Sequence, residues 1–170
     1  MSLTDREAWT VLHGMLLGAV FLLAFAGGLA GLWSLRAEFL TPGGLRERIP
    51  RLEIGVLVMA VVAWLTVITG TWIVYPWYRA PTPDSPRSKL LANPNTALWH
   101  RFGMEWKEHV AWLAPILATT VAFVVFYYGP RLAHEPKIRN ALIMLFTLAF
   151  VAAAVAGLFG AFLNKAAPTT

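Results

Sequence analysis

Four apolar runs decide what this chain can fold into. They cover about 9–33, 54–75, 109–128 and 141–163, and each comes near the roughly 20 residues a helix needs to cross the hydrocarbon of a bilayer. Inside lipid, only helices and closed barrels satisfy every backbone N–H and C=O, and runs this long read as helices. Trp9, Trp33, Tyr75, Trp77, Trp106, Tyr127 and Tyr128 stand at their ends, as in the aromatic belts of spanning helices. The expectation is an all-α integral membrane protein. It would be a four-helix transmembrane bundle forming one membrane domain over 1–170.

Composition agrees. The chain is 58% hydrophobic and only 14% charged, against about 25% charged in ordinary soluble domains. The net charge of +5 lies in the connections, where it points to topology and lipid headgroups rather than to nucleic acid. With no cysteine, disulfides and thiolate-held clusters are excluded. The start, "MSLTDREAW", lacks a basic n-region, and the apolar run after it is too long for a signal-peptide core. It reads as a retained helix.

The connections "LTPGGLRERIPR" and "YGPRLAHEPKIRN" are short and hold breakers. The connection between helices 2 and 3, "YPWYRAPTPDSPRSKLLANPN", carries Pro76, Pro81, Pro83, Pro86 and Pro94. It predicts a stiff extended strap, followed by an interfacial helix over about 96–108. Four spans put both termini and the strap on one side of the membrane. Each side carries seven Lys and Arg. On the opposite side, however, they crowd beside helix ends, which leans the termini away from the cytoplasm in a bacterial inner membrane.

An ionisable residue inside a span is a functional hypothesis by default. His134 sits among Arg131, Glu135 and Lys137 and reads as a solvated loop residue. His13 lies one turn past Trp9, and at about 100° per residue its face continues through Leu17, Val20, Ala24, Gly27 and Gly31. Small residues on one stripe mark a close helix approach. His109 lies one turn past Trp106 on a helix of the same direction, which puts it at the depth of His13, with Leu113, Ile116, Thr120 and Tyr127 on its face. On an unbroken helix, His100 would point about 180° away from His109, so those two would not share a ligand.

Gly14, Gly18, Gly70, Ala153, Ala156, Gly157 and Gly160 fall in the same half of the membrane as His13 and His109. Two imidazoles on separate helices between walls of small residues suit haem b with His13 and His109 as axial ligands. Arg79 and Arg101 would meet the propionates. Glu105, four residues before His109, would orient its imidazole or accept a proton from a quinol. A cofactor-free structural pair, another metal and a quinone site remain open beside this reading. Copper would use His100 with Met104, since Met15 diverges from His13. Glu108 is expected to face headgroups. Trp99, Phe102 and Trp106 form a stripe expected against headgroups or the strap, and Pro115 should kink the third span.

In general plan the layout is similar to the four-helix membrane cytochrome b subunits of respiratory enzymes. The likeness covers the four spans and the histidine pair, and no motif matches residue by residue, so no site is carried over. The expected function is an electron-transfer subunit that binds haem b, passes electrons between a quinone and a partner redox protein, and works beside other membrane subunits. The alternatives are a cofactor-free assembly subunit and a small copper-handling membrane protein.

Overall fold

The computed structural model describes residues 3–168 and contains no strand among them. Four helices are long and apolar enough to span a membrane: Asp5–Ser34, Pro42–Tyr78, Trp99–His134 and Pro136–Ala166. The protein is an all-α integral membrane protein with four spans.

The first two helices outrun their apolar cores because their starts are chemically marked. The hydroxyl of Thr4 accepts the Glu7 N–H at 3.3 Å, and the Glu7 carboxylate accepts the Thr4 N–H at 2.8 Å. This reciprocal capping box opens the first span. The second opens at Pro42, whose fixed φ suits a first helical position, with the Thr41 hydroxyl accepting the Gly44 N–H at 3.1 Å.

The segment 42–53, expected to be loop, is therefore helix, with Pro50 inside it. Pro50 and Arg46, whose carbonyl it strands, are both exposed, so that carbonyl is not shut away from solvent or headgroups. The proline-rich connection also departs from an extended strap, because Pro86–Ala92 is helical. Ser85 accepts the Ser88 N–H at 3.2 Å, and Pro86 takes the first helical position, where a missing N–H costs nothing. Proline there was a start signal, not a breaker.

The third span contains a π-helical segment Trp99–Met104, then α-helix Glu105–His109, then a turn before Leu113–Tyr128. Pro115 is the third residue of that last segment. Its ring excludes the carbonyl four residues earlier, at Ala111. The expected kink is thus a break in the helix at 110–112, immediately after His109.

The chain divides into two compact units, each holding pieces of all four spans. One comprises Val20–Ala63 and Leu113–Val151. Its core is built on ring stacking and glycine. Phe25 stacks on Phe150 at 4.0 Å between centroids, and Phe146 is fully buried. A Cβ on Gly28 would lie 2.7 Å from the Phe146 ring, and one on Gly31 would lie 3.0 Å from Leu52. Glycine is required at 28 so that the ring can approach the backbone.

The buried positions of this helix are Phe21, Ala24, Gly28 and Leu32. At three of the four they fall one residue later than the stripe expected from His13. A π segment, Leu12–Leu16, lies upstream, and one extra residue per turn shifts the register in that way. Two arginines cap carbonyls in this unit: Arg139 donates to Leu35 O at 2.8 Å, and Arg48 donates to Ser34 O at 3.0 Å.

The other unit comprises the described parts of Met1–Ala19, Trp64–Trp112 and Ala152–Thr170. Tyr78, Leu90, Met104, Leu163 and Ala167 form its buried core, with Tyr75 and Trp99 packed against it. The stripe of Trp99, Phe102 and Trp106 was expected against headgroups or the strap. All three instead make ring contacts with Phe159 of the fourth span at 5.6–6.5 Å. Gly103 admits the Phe159 ring, since a Cβ there would meet it at 3.2 Å.

Candidate functional site

All the titratable side chains singled out from the spans fall in the second of these units. Its helices are also the irregular ones. The π segments Leu12–Leu16, Gly70–Val74 and Trp99–Met104 all lie there. A π turn leaves one residue without a standard i→i−4 partner, and such bulges collect at functional sites. Two of the three carry histidines, His13 and His100.

His13 is seated on the second span. Its Nδ1 lies 3.1 Å from the Thr69 hydroxyl. That hydroxyl already donates to Leu65 O at 2.7 Å and also approaches Thr66 O at 3.2 Å. Its oxygen is therefore the acceptor, the proton sits on Nδ1, and Nε2 carries the free lone pair. Gly70 makes the seat possible. A Cβ at 70 would lie 2.9 Å from His13 Cε1 and 3.5 Å from Nε2, so any side chain would push the ring away. The sequence placed His13 and Gly70 at one level, and the structure brings them into contact.

His109 has the same tautomer for a different reason. Its Nδ1 lies 2.9 Å from Glu105 O, and a carbonyl can only accept, so Nδ1 carries the proton and Nε2 is again free. The Glu105 carboxylate is 3.6 Å from the same nitrogen, so it is the backbone carbonyl of Glu105, not its carboxylate, that holds the ring by a hydrogen bond. The side chain of His109 is 71% exposed, and the residues expected to continue its face, Leu113, Ile116, Thr120 and Tyr127, are all exposed as well.

Arg79 does not stand free. Its guanidinium donates to both oxygens of Glu108 at 2.9 and 3.2 Å, approaches Glu105 at 3.7 Å and lies 5.1 Å over the Tyr75 ring. Glu108 therefore faces an arginine rather than headgroups, and only 18% of its side chain is exposed. The pairing was hidden from the sequence because Arg79 and Glu108 are separated by the long connection. Arg79 Nε and Trp106 Nε1 are buried without an acceptor among the described residues.

The remaining residues scatter. Arg101 is exposed, and Gly14 is exposed with open space where a Cβ would stand. Lys107, not singled out from the sequence, rests its ammonium on Gly160, where a Cβ would come within 2.7 Å, and lies within electrostatic reach of His13. His100 is buried and hydrogen-bonded to the buried Tyr78 hydroxyl at 2.8 Å, on Nδ1. It serves a partner different from that of His109. Met104 lies in the apolar core beside Tyr78 and Leu90, and Met15 is 70% exposed. Among the described residues, no three His, Asp or Glu side chains gather as metal ligands.

No family model matches this chain, and no curated protein or solved structure matches it either.

Proposed function

We propose that the protein is a membrane-embedded electron-transfer subunit that holds one haem b through His13 and His109. The observation that carries the reading is the tautomer of the two imidazoles. Each has Nδ1–H fixed by an oxygen, Thr69 Oγ1 or Glu105 O, and each keeps Nε2 available. That is the arrangement in which an outer hydrogen bond orients a metal-ligating histidine and raises its basicity. His13 and His109 would be the residues that hold the haem. When bound, haem supplies one-electron chemistry whose potential the axial ligands and their hydrogen bonds tune.

The rest of the unit fits this role in part. Arg79 is committed to Glu108, which leaves Lys107 and Arg101 as cations for propionates. The exposed pair of Glu105 and His109, 3.6 Å apart, suits proton acceptance from a quinol at the membrane edge. As an electron-transfer subunit it would work with partner redox subunits. A bacterial inner membrane, with both termini away from the cytoplasm, is the proposed setting.

A second reading is a cofactor-free structural subunit. It is favoured by the exposure of His109 and by the closed pairing of Arg79 with Glu108. A reduced-minus-oxidised absorbance spectrum of the protein, purified in detergent from a haem-replete host, separates the two. The haem reading predicts a b-type α band that disappears in His13→Ala and in His109→Ala. A colourless protein, with both variants assembling normally, would establish the structural reading.

A further inference from the structure

Apart from His13, His100 and His109, the unit of Val20–Ala63 and Leu113–Val151 contains a shallow, open cavity of about 300 Å³ lined by Arg36, Ala37, Glu38, Ala133, His134, Pro136 and Arg139. We propose that it binds the phosphodiester headgroup of an anionic phospholipid.

Three features point to a phosphate. Two of the lining residues are arginines, against one carboxylate. Arg139 is 8% exposed and spends only Nη1 on carbonyls, at 2.8 Å to Leu35 O and 3.4 Å to Ala133 O. That anchor holds the guanidinium in place, leaving its remaining donors for an anion. Pro136 opens a helix of 31 residues, so the positive end of a long helix dipole also lies at the cavity.

The position argues for lipid as the source. Arg36 follows the end of the first span at Ser34, and His134 and Pro136 mark the junction of the third and fourth spans. These are helix ends, where headgroups lie. Arg36 stacks 4.2 Å over Trp33, which is 55% exposed at the end of its span, as a belt residue is. Basic cavities at the ends of spanning helices bind anionic headgroups. Glu38, 3.9 Å from Arg36, competes for that arginine and departs to solvent when phosphate enters; its side chain is 66% exposed.

Delipidated full-length protein in detergent is titrated with phosphatidylglycerol or phosphatidylcholine, and bound lipid is counted by native mass spectrometry. The wild type should retain one phosphatidylglycerol in preference to phosphatidylcholine. Arg36→Gln should weaken that retention about fivefold, the effect of one basic residue on an anionic headgroup, and Glu38→Gln should strengthen it. Arg51→Gln, on an exposed arginine outside the cavity, should leave it unchanged. Equal retention of the two lipids overturns the proposal, as does an Arg36→Gln protein that binds like wild type. An equal loss in Arg51→Gln would mean general charge attraction and overturns the specific site. Displacement of the lipid by millimolar inorganic phosphate assigns the cavity to free phosphate and overturns the lipid assignment.

Discussion

The two units are made from pieces of the same four spans, yet they are built by different rules. The unit of Val20–Ala63 and Leu113–Val151 is mostly regular α-helix, and its other helical segments among the described residues are the 3₁₀ turns Ala37–Phe39 and Gly129–His134. Its interior is mostly alanine, valine, leucine and phenylalanine with close-packed glycine, and Arg48 and Arg139 serve carbonyls at helix ends. The other unit holds every π segment among the described residues, the His13–Thr69 bond, the Arg79–Glu108 pair and the His100–Tyr78 bond. Regular helices satisfy the backbone cheaply in lipid and can be packed by shape alone. Polar side chains in a span must be held by partners, and the helices that present them are distorted to do so. The difference teaches where to look for chemistry and where to look for stability.

Substitutions can break that division. Thr69→Val removes the acceptor of the His13 Nδ1–H while keeping shape. Loss of such an outer partner lowers metal affinity about 10–100-fold, so haem titration should show weakened binding and a shifted midpoint potential, with the helical circular dichroism unchanged. Unaltered affinity and potential would mean that Thr69 does not set the tautomer. Gly28→Ala acts in the other unit, where its Cβ would meet the buried Phe146 ring at 2.7 Å. Overpacking of that kind costs about 2 kcal/mol. The thermal midpoint should fall while the haem spectrum of the surviving folded protein stays the same. A changed spectrum there would erase the distinction between the units. The smallest expected effect is that of Tyr78→Phe, which deprives His100 of its 2.8 Å partner and costs about 1 kcal/mol. Partial proteolysis of the 79–98 connection should quicken, because that bond ties together the ends of the second and third spans that the connection joins.

The sequence was most legible where physics is periodic. Four apolar runs of bilayer length, with aromatic ends, can only be helices, and they are. The level shared by His13 and Gly70 could also be read, since both lie one turn from the same belt. Three things could not. Thr41–Pro42 and Ser85–Pro86 look like breakers unless the preceding hydroxyl is recognised as a cap, so two helical stretches read as loop in the sequence. π insertions carry no composition signal, and one of them shifted the buried register from Gly27 to Gly28. Pairings across long loops, Arg79 with Glu108 and Tyr78 with His100, leave no trace in spacing. Glu108 was therefore assigned to headgroups and Arg79 to a propionate.

The central claim is that the unit with the distorted helices holds one haem b on His13. Haem stoichiometry, measured as the pyridine haemochrome per folded chain, tests it most directly. The account predicts one b haem per chain in the wild type and in Gly28→Ala, and none in His13→Ala. A wild type that carries no haem when made in a haem-replete host, or a His13→Ala protein that still carries one, would contradict it.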